Sequence, residues 1–212
     1  MNCDKKDLLL YAVTDRAWLN GRTLADDVAS AIRGGATFLQ LREKGMPYEA
    51  FCQEAVMIGA LCRAHHIPFI INDNVEVALA SGADGVHVGQ HDMAACDVRK
   101  RIGADKILGV SAQTVEQALL AQAQGADYLG VGSMFPTSTK LDADAVSLDT
   151  LHAICQAVHI PVVAIGGITR ENIPQLAGSG IAGIAVVSAI FAQQDIEAAA
   201  RELYAITAKV LQ

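Results

Sequence analysis

Charge is scarce in this chain. Lysine and arginine number 16 and aspartate and glutamate 23 among 212 residues, for a net charge of −7. That balance excludes the broad basic surface on which nonspecific binding to nucleic acid or to an anionic membrane depends. The five cysteines, Cys3, Cys52, Cys62, Cys96 and Cys155, form no CxxC pair and no zinc-like spacing, which excludes a thiolate metal centre. Their odd number favours free thiols in a reducing cytoplasm, and Cys52 and Cys62 fall in a helical pattern as small core residues. No signal peptide is expected either, because the apolar stretch Leu8–Val13 is short and follows Asp7. Residues 172–194 carry no charge, yet Pro174 and four glycines or serines before Ile184 interrupt them. A short helix followed by a buried strand accounts for that stretch better than a membrane span. No linker or low-complexity tract divides the chain, so one soluble domain over residues 1–212 is expected.

What the chain has in quantity is apolar surface, 52% of its residues, arranged in alternating short runs and longer helical patterns. The runs cover residues 8–14, 38–42, 69–73, 85–90, 107–112, 128–132, 162–167 and 183–189. Helical patterns occupy residues 24–34, 48–66, 115–124 and 148–158, and a last one spans residues 196–210. Gly35-Ala36, Gly82-Ala83 and Gly125-Ala126 precede strands in one manner, and Pro68 and Pro161 in another. Glycine ends a helix through a left-handed residue, and proline blocks its continuation. Eight strand–helix units of about 26 residues suit a parallel (βα)8 TIM barrel. An open doubly wound sheet is the competitor, but no G-x-G-x-x-G turn follows the first strand.

In such a barrel the chemistry gathers at the C-terminal ends of the strands. Alternation along the second strand turns Gln40, Arg42 and Lys44 towards the interior and mouth, and Leu39 and Leu41 towards the helices. A polar series of that kind is costly to bury without an anion to pair with. Asp73 and Asp92 follow neighbouring strands and suit magnesium, which takes a few carboxylates together with phosphate oxygens. The plainer reading makes each an N-cap, of helices beginning near Val75 and Met93. His87 has interior parity and reads as a hydrogen-bonded core histidine. Ser111 has no histidine–carboxylate partner in view and reads as a ligand contact. Gly166-Gly167 and Val187-Ser188 end the last two strands, where barrels commonly hold phosphate. The long polar segment from Ser133 to Ser147, containing Thr137, Ser138, Thr139 and Lys140, reads as a lid.

Gln40-Leu-Arg-Glu-Lys44, Ile71-Asn-Asp73, Gly89-Gln-His-Asp92, Gly132-Ser-Met-Phe-Pro-Thr-Ser-Thr-Lys140 and Ile165-Gly-Gly-Ile168 together resemble the thiamine phosphate synthase family. The likeness runs from about Tyr11 to Ile190. It implies an enzyme that joins 4-amino-2-methyl-5-(diphosphooxymethyl)pyrimidine to a thiazole phosphate, or its carboxylated form, and releases diphosphate. It further implies that Gln40, Leu41, Arg42, Glu43, Lys44, Asn72, Ser111 and Lys140 hold the pyrimidine substrate. Asp73 and Asp92 would then hold Mg2+, and Thr137, Ser138, Thr139, Gly167, Val187 and Ser188 the thiazole phosphate. Lys140, Arg42 and Ser111 are the expected catalytic residues. The family commonly has Gly-Pro where this chain has Gly132-Ser133, and Met134 reads as a spacer.

No activated nucleophile is evident, so substitution by charge stabilisation and positioning is expected, without a protein-bound intermediate. A thiazole tautomerase or a non-catalytic phosphometabolite-binding barrel are the alternatives, and neither needs the full set of carboxylates and cations. The expected partners are small phosphorylated substrates, not nucleic acid or membrane, and an oligomer is compatible with the chain.

Overall fold

Short apolar runs bounded by helix stops become strands here because each is buried on both faces. The computed structural model describes residues 3–137 and 145–211. Its strands are β1 (Leu10–Val13), β2 (Phe38–Leu41), β3 (Phe69–Asn72), β4 (Gly85–Val88), β5 (Ile107–Ala112), β6 (Tyr128–Val131), β7 (Val162–Ile165) and β8 (Gly183–Val186). All pairings are parallel and sequential, and β8 returns to β1 with Leu10 opposite Ile184, closing an eight-stranded barrel. The helices around it are α1 (Leu24–Arg33), α2 (Tyr48–Ala64), α3 (Val75–Ser81), α4 (Ala95–Ile102), α5 (Val115–Ala123), α6 (Leu148–Ala157), α7 (Ser188–Phe191) and α8 (Ile196–Val210). A single 3-10 turn, Ile173–Leu176, stands where a helix would follow β7. Among the described residues no helix is long and apolar enough to cross a membrane.

Local chemistry starts and stops these helices. Thr23, Asn74, Thr114, Ser147 and Asp195 each accept a backbone N–H in the first turn of the helix that follows. Such a side chain satisfies a donor that the helix leaves unpaired, typically for about 1 kcal/mol. At the other end of α3, Gly82 takes a left-handed conformation (φ 68°), where a side chain would be strained.

Two apolar layers hold the barrel. Alternate strand residues such as Leu39, Leu41, Ile71 and Leu129 pack outward against the helices. The other set faces inward, where Tyr11, Phe38 and Tyr128 meet edge to face with ring centroids 4.7–5.9 Å apart. Leu8 and Cys3, on the segment before β1, belong to this inner cluster and are buried. The observed strands stop one to three residues short of most of the apolar runs. Arg42, Asp73 and Gln90 therefore belong to the loops beyond β2, β3 and β4.

Candidate active site at the barrel mouth

Gln40 is the last inward-facing residue of β2, and its Nε2 donates to the Tyr11 hydroxyl. Leu39 and Leu41 turn outward into the helix-facing core, as alternation predicts, so Leu41 can offer a ligand only its main chain. Past the strand end, alternation no longer governs. Arg42 donates to Asp15 Oδ2 at 3.0 Å, and its backbone N–H donates to Thr14 Oγ1. Asp15, on the loop after β1, thus orients the guanidinium while leaving most of its five N–H donors for an anion. Lys44 is exposed and exerts an attractive field on Asp73.

Glu43 lines a cavity beside Asn72 and Asp73, yet its side chain is tied into an ion-pair cluster. Its side chain is 2% exposed and accepts from Arg16 Nε at 2.8 Å, while Arg16 Nη2 also pairs with Glu54 of α2. One guanidinium thus serves two carboxylates. Glu43 Oε1 and Glu54 Oε2 are buried without a hydrogen-bond partner among the described residues. Burial, together with the Glu54 carboxylate, pushes Glu43 up to about 7. A folded-state value above the unfolded one means that this group stabilises the fold fully below about pH 4.5. The contribution is lost as pH rises through about 7. Glu43→Gln is therefore expected to leave the melting temperature unchanged near pH 4.5 and to exceed wild type by pH 8. Parallel pH-dependent thermal melts would check this.

Asp73 and Asp92 converge. Asp73 follows β3 with a left-handed backbone (φ 61°), and its N–H donates to His87 O at 2.8 Å. Its Oδ2 accepts from Asn72 Nδ2 at 2.5 Å. Asp92 folds back so that its Oδ2 accepts from Gly89 N at 2.7 Å. Partial burial and the facing Asp92 carboxylate push Asp73 up to about 6. Neither aspartate is a helix cap: α3 is capped by Asn74, and α4 begins after Ala94 with no side-chain cap. Two carboxylates held together at adjacent strand ends, one in a strained conformation, suit a hard divalent cation that takes oxygen ligands. A cavity of about 410 Å³ opens beside them, lined by Gly45, Met46, Asn72, Asp73 and Glu76 among others.

Ser111 lies on β5 at the rim, and His87 is buried beneath it. The His87 ring bridges Ser111 Oγ (Nε2, 2.9 Å) and the Tyr128 hydroxyl (Nδ1, 2.8 Å). The interior histidine is hydrogen-bonded, as the sequence suggests, and it bonds directly to a predicted ligand contact.

Across the mouth, the loop after β6 docks on the end of β7. Met134 N donates to Ile165 O and Phe135 N to Gly166 O, both at 3.0 Å. A β-carbon on Gly167 (φ 63°) would fall 2.4 Å from Pro136 O and 2.5 Å from Phe135 O, so only glycine permits this approach. Gly167 follows the end of β7, Val187 and Ser188 follow β8, and Thr137 lies in the docked loop after β6. Ser138, Thr139 and Lys140, with the middle of the expected lid, lie outside the described residues.

Set beside known proteins, residues 10–190 match the model of the family described as thiamine monophosphate synthase. The chain belongs to that family. The thiamine-phosphate synthase of Ruminiclostridium cellulolyticum is 54% identical over 202 residues, covering 95% of this chain and 96% of its own. That of Clostridium tetani is 51% identical over 197 residues, covering 93% and 94%. Among solved structures, the thiamine phosphate pyrophosphorylase of Pyrococcus furiosus superposes with a TM-score of 0.91 at 39% identity, covering 98% of this chain and 99% of its own. Thiamine phosphate formation, a pyrimidinylmethyl transfer that releases diphosphate, is the activity of the thiamine monophosphate synthase family.

Ser133 stands where the sequence resemblance leads one to expect a proline. Its hydroxyl donates to Phe135 O at 2.8 Å, its carbonyl accepts from Val146 N, and the Gly132–Ser133 peptide is cis. The start of the loop is thus held by hydrogen bonds. Met134 is more than a spacer, being 7% exposed and packed in the helix-facing core. Sequence reasoning also missed Asp15, Arg16 and Glu54, whose partners lie 27 to 38 residues away, and the two tyrosines beneath Gln40 and His87. An inward-facing tyrosine among apolar strand residues, at the same parity as Gln40, was the available signal.

Proposed function

We propose that this chain acts as one barrel domain forming thiamine phosphate from the pyrimidine diphosphate and a thiazole phosphate, with the reaction at the barrel mouth. The facing pair Asp73 and Asp92 carries this reading, because two carboxylates kept together beside Arg42 and Lys44 suit a metal–diphosphate complex and serve no purpose in a glycine-only phosphate cradle. Gln40, Asn72 and Ser111 hold the pyrimidine, and Arg42, Lys44 and Lys140 hold its diphosphate. Thr137, Ser138, Thr139, Gly167, Val187 and Ser188 receive the thiazole phosphate. Glu43 and Leu41 contribute main-chain groups. Magnesium, when held by Asp73 and Asp92, supplies positive charge to the diphosphate. Arg42 and Lys140 stabilise the same charge as the carbon–oxygen bond breaks. The electron-rich aminopyrimidine shares the positive charge left on its methylene carbon, and the thiazole nitrogen attacks it. The protein positions the two rings and takes no covalent part.

The test is product formation by the purified protein from both phosphorylated substrates, with magnesium and with chelator. Magnesium-dependent thiamine phosphate is the expected result. Folded protein that makes none in either condition would overturn the reading.

A further inference from the structure

Two consecutive residues of the loop after β1 meet two consecutive residues of the loop after β2 with charges in alternation. Asp15 Oδ2 accepts from Arg42 Nη1 at 3.0 Å, and Arg16 Nε donates to Glu43 Oε2 at 2.8 Å. Thr14 adds further rungs, its N–H donating to Gln40 O and its hydroxyl accepting the Arg42 N–H, both at 3.0 Å. The other Asp15 oxygen accepts from Ala17 N and caps the 3-10 turn Arg16–Trp18, so one short turn sets the places of Asp15 and Arg16 together. Arg16 Nη2 then reaches Glu54, which ties the two loops to α2.

An ion pair exposed at both ends would be a weak anchor, but here both acids are largely buried, with side chains 2% and 11% exposed. Their carboxyl groups lie within hydrogen-bonding reach of each other, and each has an oxygen without a partner among the described residues. Two ionised carboxylates have no hydrogen to share. One proton between them supplies the missing donor and leaves a single negative charge to match the single guanidinium. Glu43 is then tied to Arg16 on one side and to Glu54 on the other, and Arg42 is its chain neighbour. We propose that Arg16 is a positioning residue, which holds Asp15 and Glu43 in register so that the Arg42 guanidinium meets a diphosphate already aligned. A long arginine side chain otherwise loses rotamer freedom when an anion binds, and an anchor made on folding removes that cost from binding. The inference rests on the assignment of Arg42 to the diphosphate above.

A double-mutant cycle on inorganic diphosphate, titrated calorimetrically with magnesium in excess, tests this. Arg42→Ala is expected to weaken binding about 100-fold, as truncating one partner of a charged pair does. Arg16→Ala is expected to weaken it about 10-fold, the lower end of the cost of losing an orienting partner. With Arg42 already replaced, Arg16→Ala should cost no more than about twofold, because no guanidinium is left to align. An equal loss in both backgrounds would mark a remote charge or a separate contact with the anion and overturn the proposal, as would no loss in folded protein. Should Arg16→Ala fail to fold, Arg16→Gln with Glu54→Gln, which removes one charge of each sign, enters the same cycle. Glu54→Gln alone is expected to bind within about twofold of wild type, because its amide donates to Glu43 and accepts from Arg16. A loss of about tenfold there would refute the shared proton. Wild type that binds no diphosphate, or Arg42→Ala that binds it normally, would refute the Arg42 assignment and this inference with it. The expected Arg42 effect without an Arg16 effect would sink this inference alone.

Discussion

Asp73→Ala is expected to cut thiamine phosphate formation by about 10² to 10³-fold while leaving a folded barrel. The side chain is one of two carboxylates proposed to hold the cation, and nothing among the described residues offers a third acid to replace it. The fold should survive because Asp73 caps no helix and faces a like charge: partial burial and Asp92 raise it to about 6. Removing it relieves repulsion in the metal-free protein. Magnesium at a hundredfold excess over its Kd should stabilise wild type by about 2.7 kcal/mol, raising the melting temperature by about 5–10 °C. Asp73→Ala should show no such rise. Near-normal turnover in the variant, or an undiminished magnesium-dependent shift, would remove the two aspartates from the site.

Gly109→Ala should cost the barrel much of its stability through a single added methyl group. The new β-carbon would lie 2.2 Å from Tyr128 and 2.4 Å from His87, and both neighbours are buried on strands that pair directly with β5. Neither ring is a flexible chain end that can swing into solvent. Overpacking of this kind costs about 3 kcal/mol, which for a chain of this length is a fall of about 6–12 °C in melting temperature. The displaced phenol also leaves His87 Nδ1 without its partner, a further cost for a buried polar group. A melting temperature within 2 °C of wild type, roughly the shift for less than 1 kcal/mol, would show that the strand yields more readily than the spacing implies.

The barrel was legible because strands buried on both faces are written as continuous apolar runs, and because glycine–alanine and proline signals punctuate them. Strand ends were less so, since a run such as Ile70-Ile71-Asn72-Asp73 shades into its loop without a break in composition. The brief α3, the highly charged α4 and the four-residue α7 gave weak helical patterns, and packing defines them. At the site, Gln40, Asp73, Asp92 and Ser111 could be found because each is a polar group at a strand end. The Arg42–Asp15 pair, the Arg16–Glu43–Glu54 cluster and the tyrosine–histidine chain could not. They are made by closure of the barrel, which brings together side chains that a periodic pattern along one strand cannot relate.

Leu8 and Cys3 close the lower end of the barrel interior beneath Tyr11, Phe38 and Tyr128. Among the described residues that leaves the interior a cul-de-sac with one doorway. Both substrates must come in, and the joined product and the diphosphate go out, by that same side, so two rings that arrive separately leave as one molecule.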